Sequence, residues 1–196
     1  MDANTALIVF IFMVAIFTSL GGKVYSPVAP TTGIIYQEAS VAEPDPSYSA
    51  TFGDNSAPAI ETFIKKYRSE SESILIANNI MTYSKMYDMN PKLVAALIAR
   101  ESKFNPRALS SSGAAGLGQL LPSTAKGLGI SDPYDIEQNV KGTVRYFKSL
   151  ILKFNGKVSK AIAGYLEGPN AVERQGGFSA HSKTYVEDIL NIYQRI

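Results

Sequence analysis

The sequence contains no cysteine and only one histidine, His181, among its 196 residues. The lack of cysteine excludes disulfide bonds and thiolate metal sites. A single histidine excludes metal sites built from several histidines. It also leaves one candidate for a histidine-dependent triad, with no matching nucleophile motif nearby. We therefore expect no metal ion and no cofactor, and we interpret His181 as a loop residue.

Charged residues are unevenly distributed along the chain, which has a formal net charge of +2 at pH 7. Residues 1–58 carry a net charge of −4, whereas residues 59–196 carry +6. A basic region of this kind suits an anionic polymer. The basic residues are scattered and no nucleic-acid-binding motif is present, so we do not expect nucleic acid as a partner.

Residues 6–22 form an uncharged, almost wholly apolar segment of 17 residues. This length is the lower limit for a helix that crosses a bilayer. No Lys or Arg precedes the segment, which favours a retained membrane anchor over a cleaved signal peptide. Lys23, the nearest basic residue, would place the rest of the chain in the cytoplasm by the positive-inside rule. We predict an anchor over residues 1–22; a cleaved signal and a buried core helix are the alternatives.

Residues 23–58 are rich in Pro, Ser, Thr and Ala and show neither helical nor strand periodicity. This composition is typical of a flexible linker. A linker of this length would let a tethered domain search the surface beside its membrane. The alternative is an inert disordered tail.

Residues 59–196 show helical rather than strand periodicity, without an internal repeat, which predicts one mainly α domain. A capping asparagine and a proline start one helix at Pro91, and the stretch 167–170 is predicted to be a turn. A capping-box pattern predicts that the last helix begins at Thr184. The other predicted helices are 59–67, 72–87, one that begins at Pro122, 136–154 and 158–165.

Glu101 ends the apolar face of the helix that begins at Pro91. Three apolar residues precede it on that face at the spacing of helical turns: Val94, Leu97 and Ile98. Burial makes a charged carboxylate costly, so the pKa of such a Glu should be raised. A Glu that is protonated near neutral pH is what a general acid requires. The alternative is a solvated Glu at a fraying helix end.

Two motifs extend over residues 101–125. Residues 101–108 read E-S-x-F-N-P-x-A, and residues 110–125 read S-x-x-G-A-x-G-L-x-Q-L-x-P-x-T-A. Together they resemble the lytic transglycosylase domain related to goose-type lysozyme. The resemblance implies a lysozyme-like, mainly α fold and cleavage of peptidoglycan between N-acetylmuramic acid and N-acetylglucosamine. It also implies that Glu101 is the only catalytic carboxylate.

The chemistry of the family that the sequence resembles needs only one acid. The Glu protonates the glycosidic oxygen, and the substrate's acetamido group stabilises the anomeric carbon. The resulting carboxylate then takes a proton from the muramyl C6 hydroxyl, which closes a 1,6-anhydro ring without consuming water. The stretch from residue 103 to residue 130 indeed offers no second carboxylate, although most glycosidases use two.

The resemblance also assigns the surroundings of Glu101. Ser102 would support it, and Tyr165 and Tyr185 match family tyrosines near the site. Gln119 and the backbone before it would line the sugar groove. The alternatives are a surface position for Gln119 and simple packing for the tyrosines. The predicted substrate-binding residues are Ser102, Gly116, Leu117, Gly118, Gln119, Tyr165 and Tyr185.

Two parts of the sequence depart from the family pattern. Gly118 stands where the G-L-M-Q loop has Met, and Leu166 and Glu167 stand where the A-Y-N-A-G-P block has Asn and Ala. If Glu167 points inward, it could act as a second carboxylate and favour hydrolysis, as in a muramidase. If it points outward, it is a solvated turn residue.

The expectation from the sequence is a lytic transglycosylase anchored through residues 6–22, with its catalytic domain at 59–196. It would act on the cell wall from the cell envelope or from a virion membrane, as part of a phage particle or an envelope-spanning machine. The cytoplasmic orientation that Lys23 indicates conflicts with this site of action, and a cleaved signal or a virion membrane would remove the conflict. Three alternatives stay open. They are a muramidase of the same fold, a degenerate glycan-binding or assembly subunit, and a basic nucleic-acid binder.

Overall fold

The computed structural model describes residues 56–177 and 179–196. Apart from two isolated bridges between residues 109 and 120, the regular structure of these residues is helical, so the predicted mainly α class is confirmed. The predicted anchor, 1–22, and nearly all of the predicted linker, 23–58, lie outside the described residues. Within the described part of the chain, no helix combines the length and apolarity needed to cross a membrane.

The described residues form eight helices, numbered here in chain order. They are α1 (Ser56–Ile64), α2 (Glu70–Met86), α3 (Pro91–Ser102), α4 (Pro122–Gly127), α5 (Ile136–Lys153), α6 (Val158–Glu167), α7 (Pro169–Arg174) and α8 (Ala180–Tyr193).

Helix α3 lies in the middle of the core. It packs against α1, α2 and α8, and all of its residues from Leu93 to Ala99 are buried. The apolar face predicted from the sequence is confirmed, because Val94, Leu97 and Ile98 are each 0% exposed. Burying a side chain of this kind stabilises the fold by about 1.5–3 kcal/mol. This helix is therefore a rigid support for whatever its last turn carries.

The start of α3 follows the predicted capping pattern. The side-chain oxygen of Asn90 accepts hydrogen bonds from the backbone N–H groups of Lys92 (3.0 Å) and Leu93 (3.3 Å). These bonds satisfy two of the backbone donors that a helix leaves free at its first turn. Pro91 occupies the first helical position, where no N–H is needed.

The end of α3 is held by a buried aromatic residue. Lys103 and Phe104 follow the helix with left-handed backbone angles (φ 51° and 59°). Phe104 is 0% exposed, and its ring lies 6.2 Å from that of Phe63 and 5.9 Å from that of Tyr67. The unfavourable backbone geometry costs roughly 1–2 kcal/mol per residue, which the burial of the aromatic ring offsets. The last turn of α3 is therefore not a fraying end.

The predicted start of the last helix and the predicted loop position of His181 are wrong. The last helix begins at Ala180 rather than Thr184, because the hydroxyl of Ser179 accepts a hydrogen bond from the N–H of Ser182 and caps the helix earlier. His181 is therefore an exposed helical residue and not a loop residue. The stretch predicted as a turn at 167–170 contains the end of α6 and the start of α7.

Candidate active site

Glu101 lies in the last turn of α3, and its carboxyl group is largely buried. The hydroxyl of Tyr185, on α8, donates a hydrogen bond to its Oε1. Burial raises the pKa of Glu101, whereas the hydrogen bond from Tyr185 and the positive charge of Arg100 oppose this rise. The net shift is upward, as the sequence predicts. Glu101 thus keeps its proton to higher pH than an exposed Glu.

Arg100 connects the same two helices on the outside of the site. Its Nε lies 2.9 Å from Oδ2 of Asp188, and its guanidinium carbon lies 5.2 Å from the centre of the Tyr185 ring. Both charged side chains are more than 40% exposed, so the ion pair contributes at most about 1 kcal/mol. Its main effect is to orient α8 beside the end of α3.

Tyr165 joins α6 to the loop that precedes α4. Its hydroxyl donates a hydrogen bond to the carbonyl oxygen of Gly118 (2.8 Å), and its ring lies 5.1 Å from that of Tyr146. Burial, and then the negative charge of Glu101, raise the pKa values of both Tyr165 and Tyr185. Both phenols therefore stay protonated over the neutral range and act as hydrogen-bond donors.

The loop between residues 109 and 120 is closed by its own backbone. Bridges join Leu109 to Ala115 and Ala115 to Leu120. Gly116 has a φ of 77°, and a Cβ atom there would collide with the carbonyl oxygen of Pro133 and the side chain of Asn139. Only glycine can occupy this position, which fixes how the loop turns.

Gln119, the next polar residue of the loop, also has a left-handed backbone (φ 49°). Its side-chain Nε2 donates to the carbonyl oxygens of Gly116 (3.0 Å) and Ala108 (3.2 Å). The amide nitrogen is thus used to hold the loop closed. A sugar contact by Gln119 would be made through its remaining carbonyl oxygen.

The structure adds Asn139, which sequence analysis missed. This side chain of α5 is 1% exposed and accepts a hydrogen bond from the N–H of Gly118 (2.8 Å). Its amide nitrogen donates to the carbonyl oxygens of Pro133 (2.7 Å) and Ala115 (3.1 Å). Three backbone groups on both sides of the loop are thereby satisfied by one side chain.

A signal for Asn139 exists in the sequence. Asn139 and Thr143 are four residues apart, so they lie on one helix face. That face is otherwise apolar in this region, with Val140, Val144 and Phe147 on it, all 0% exposed. Two polar residues at such positions indicate buried hydrogen bonds, because a buried polar group without a partner is costly.

Thr143 also explains why Gly118 departs from the family pattern. A Cβ atom at position 118 would collide with the side chain of Thr143, which is itself 0% exposed. In this chain Thr143 fills the space that a side chain at position 118 would need. The absence of a side chain at position 118 is therefore matched by local packing.

The side chains of two other predicted site residues make contacts within the protein. The side chain of Leu117 is 0% exposed and belongs to the hydrophobic core, so only its backbone could face a ligand. The hydroxyl of Ser102 donates to the carbonyl oxygen of Ile98 (3.4 Å). Any support that Ser102 gives Glu101 thus comes through the last turn of α3.

Glu167 lies at the end of α6 and is half-buried. Its Oε1 accepts hydrogen bonds from the hydroxyls of Ser179 and Ser182, at the start of α8. These hydrogen bonds lower the pKa of Glu167. Its Oε2 is buried without a hydrogen-bond partner among the described residues.

A shallow cavity of about 410 Å³ lies beside the loop, on the side of α4. It shares Gly113, Ala115 and Leu120 with the loop, and its lining is mostly apolar, with Lys126 as the charged residue. No carboxylate lines it, so it is not the place of the acid. Within the described residues, no cluster of Asp, Glu and His side chains could hold a metal ion.

Comparison with known proteins identifies relatives of this chain. Residues 78–187 match the family model of the transglycosylase SLT domain. The transglycosylase of Enterobacteria phage PRD1 is 38% identical over 107 residues, which are 55% of this chain and 38% of that protein. The membrane-bound lytic murein transglycosylase F of Salmonella choleraesuis is 33% identical over 100 residues, 51% of this chain and 16% of that protein. The matches thus span well under half of each relative's length.

Solved structures share the fold. The 70 kDa soluble lytic transglycosylase of Escherichia coli aligns with a TM-score of 0.55 at 20% identity, over 72% of this chain and 28% of that one. An inactive mutant of the lytic transglycosylase Slt from Pseudomonas aeruginosa aligns with a TM-score of 0.53 at 22% identity, over 69% of this chain and 26% of that one. The predicted lysozyme-like transglycosylase fold is confirmed.

Proposed function

Because the chain belongs to the transglycosylase SLT domain family, we propose that it is a peptidoglycan lytic transglycosylase with Glu101 as its catalytic acid and base. One observation carries the proposal: a largely buried carboxyl with a raised pKa receives a hydrogen bond from Tyr185 at the end of a rigid helix. General acids of glycosidases have such environments.

In the first step, Glu101 donates its proton to the oxygen between N-acetylmuramic acid and N-acetylglucosamine. The bond between that oxygen and the muramyl C1 breaks, and the electron pair stays on the leaving oxygen. The acetamido group of the substrate stabilises the electron-poor C1. The hydrogen bond from Tyr185 stabilises the carboxylate that Glu101 becomes.

In the second step, the Glu101 carboxylate takes the proton of the muramyl C6 hydroxyl. The C6 oxygen bonds to C1 and closes the 1,6-anhydro ring, so no water is consumed and Glu101 regains its proton. The same group therefore acts first as acid and then as base, which a pKa near the working pH favours.

The glycan strand would bind along the loop at 116–119. Gly118 donates a hydrogen bond through its N–H to Asn139 and accepts one at its carbonyl oxygen from Tyr165. These two bonds hold that loop in one conformation, so its backbone is ready for the sugar. Gln119 and the two phenols, Tyr165 and Tyr185, complete the proposed substrate-binding surface, with Ser102 and Leu117 behind it. No cofactor takes part in this chemistry.

The proposed cellular role follows from the sequence and the relatives. Residues 6–22 would anchor the chain in a membrane and residues 23–58 would let the domain reach the wall. The relatives include a phage transglycosylase and a membrane-bound murein transglycosylase. We infer local opening of the cell wall by a phage particle or an envelope-spanning machine.

The test is mass spectrometry of the fragments that the full chain releases from purified peptidoglycan. We expect fragments that end in 1,6-anhydromuramic acid. They should disappear with Glu101→Gln and persist with Glu173→Gln, a matched change at an exposed ion pair with Lys153. Reducing ends heavier by one water would instead identify a muramidase. Binding to sacculi without any release would identify a glycan-binding subunit and overturn the proposal.

A further inference from the structure

Glu167 connects the end of α6 to the start of α8. One carboxylate oxygen accepts hydrogen bonds from the hydroxyls of both Ser179 and Ser182. Ser179 is also the N-terminal cap of α8, and Ser182 is 0% exposed. We call these three residues the Glu167 clasp.

The clasp lies one helical turn from the phenol that contacts the proposed acid. Ser182 and Tyr185 are three residues apart and share the buried face of α8, at 0% and 4% exposure. Tyr185 in turn donates to Glu101 on α3. A displacement of the start of α8 would therefore change the Tyr185–Glu101 hydrogen bond directly.

The second polar attachment of α8 near this point is weaker. The ion pair between Arg100 and Asp188 is exposed, and such pairs contribute little. The clasp is instead partly buried, and its carboxylate lies at a helix N-terminus, where negative charge is favoured. The lowered pKa of Glu167 keeps the carboxylate charged at neutral pH, and His181 is the titratable neighbour that adds to this effect.

We propose that Glu167 is a positioning residue, which holds α8 through Ser179 and Ser182 so that Tyr185 stays bonded to Glu101. As an effect on catalysis, this inference rests on the proposed function. As an effect on Glu101 itself, it does not, because the hydrogen bond exists without substrate.

The test measures the pKa of Glu101 by NMR in the full chain, with ¹³C-labelled glutamate carboxyls. The Glu101 resonance is assigned by its loss in Glu101→Gln. The groups that act on this carboxyl are Arg100, Tyr185 and Tyr165. None of these three residues is itself mutated in the Glu167 variants. We expect Glu167→Ala to raise the pKa of Glu101, because a loosened Tyr185 no longer lowers it.

The sign of the shift separates positioning from simple charge removal. Loss of the negative charge of Glu167 would by itself lower the pKa of Glu101. An upward shift therefore reports the hydrogen bond. In the double variant with Tyr185→Phe, Glu167→Ala should add no further upward shift, since the bond is already absent. A pKa that stays the same or falls in Glu167→Ala, or shifts that add fully in the double variant, would overturn the inference.

Two further variants keep the test decisive. Glu167→Gln retains an acceptor oxygen for the serine hydroxyls and should restore most of the wild-type pKa of Glu101. If Glu167→Ala does not fold, Ser182→Ala removes one donor of the clasp and should give the same upward shift. Glu173→Gln, on α7, is the matched control and should leave the pKa unchanged.

Activity provides a second, separate readout. We expect Glu167→Ala to lower kcat about tenfold and to change KM less than about twofold, because a group that aids the reacting residue is misplaced while the groove is intact. If wild-type protein releases no fragments, the proposed function fails. The NMR result still decides whether Glu167 positions Tyr185.

Discussion

Tyr185 and Glu101, which are 84 residues apart in the sequence, are joined by a hydrogen bond from the phenol hydroxyl to Oε1 of the carboxyl. Burial raises the pKa of Glu101, whereas this bond and the positive charge of Arg100 lower it, so opposing effects set the pH range in which the acid is protonated. The pairing of one helix end with a phenol on another helix is thus the central feature of the site.

Tyr185→Phe tests the role of that bond. Removing the hydroxyl removes an effect that lowers the pKa of Glu101, so the pKa should rise further. Because the acid must be protonated to react, the alkaline limb of the profile of kcat/KM against pH should move to higher pH. We also expect kcat to fall about tenfold or more, since the carboxylate loses a donor. A limb that stays at the wild-type pH would contradict the assignment.

Glu101→Gln should stabilise the fold in a pH-dependent way. The folded-state pKa of Glu101 is raised above its ordinary value of 4.5, so the fold favours the protonated form. The contribution of Glu101 to stability is then fully present below the unfolded-state pKa and is lost as the pH rises through the folded-state pKa. At pH 7 the variant should therefore be more stable than the wild-type protein. At about pH 4 the difference should vanish. Urea unfolding at both pH values measures the difference in the free energy of unfolding between the variant and the wild-type protein. The same difference at both pH values would argue against a buried acid.

Asn139→Ala should destabilise the loop beside the acid. It leaves the N–H of Gly118 and the carbonyl oxygen of Pro133 without their partner, which costs about 2–4 kcal/mol in total. The carbonyl oxygen of Ala115 keeps its hydrogen bond from the N–H of Leu120. Faster hydrogen exchange at the Gly118 amide would show that the loop is the affected part. The control is Asn79→Ala, whose amide donates within its own helix to Leu75 and should cost less than about 1 kcal/mol. Equal losses in the two variants would contradict this role.

Gly118→Ala should destabilise the fold by about 1–3 kcal/mol, because its Cβ would collide with Thr143. In a Thr143→Ala background the loss should be smaller by roughly 1 kcal/mol, since part of the obstructing side chain is gone. Gly127→Ala, where a Cβ atom meets nothing within 4 Å, should instead be neutral or stabilising. Urea unfolding of Gly118→Ala, Thr143→Ala, the double variant and Gly127→Ala measures these changes in stability. Additive losses in the double variant would show that Thr143 is not the obstacle.

The parts of the site that depend on local sequence could be predicted. The cap at Asn90 and the apolar spacing that ends at Glu101 are contained within one helix, and both are present in the structure. The raised pKa of Glu101 follows from the same spacing, because a carboxyl on an apolar face is buried with it. These features can be predicted without knowing which helices pack against α3.

The parts that depend on distant partners could not be predicted. The capping-box pattern at Thr184 is a local signal, but the chain is capped earlier by Ser179, whose hydroxyl also binds Glu167 from another helix. In the same way, Asn139 reveals its role only when the loop 24 residues before it is placed against α5. Hydrogen bonds between distant segments are set by tertiary packing, which periodicity does not contain.

The aromatic residue behind the acid has a consequence for transplanting this domain. Phe104 is buried against Phe63 and Tyr67, which precede the region that matches the family, and Asn90 donates to the hydroxyl of Tyr193, which follows it. A fragment limited to residues 78–187 would lack Phe63 and Tyr67, so Phe104 would be exposed next to Glu101. It would also lack Tyr193, which contacts Asn90 at the opposite end of α3. The segment that has to be transferred is therefore longer at both ends than residues 78–187. A transferred domain that keeps its activity should contain residues 56–196.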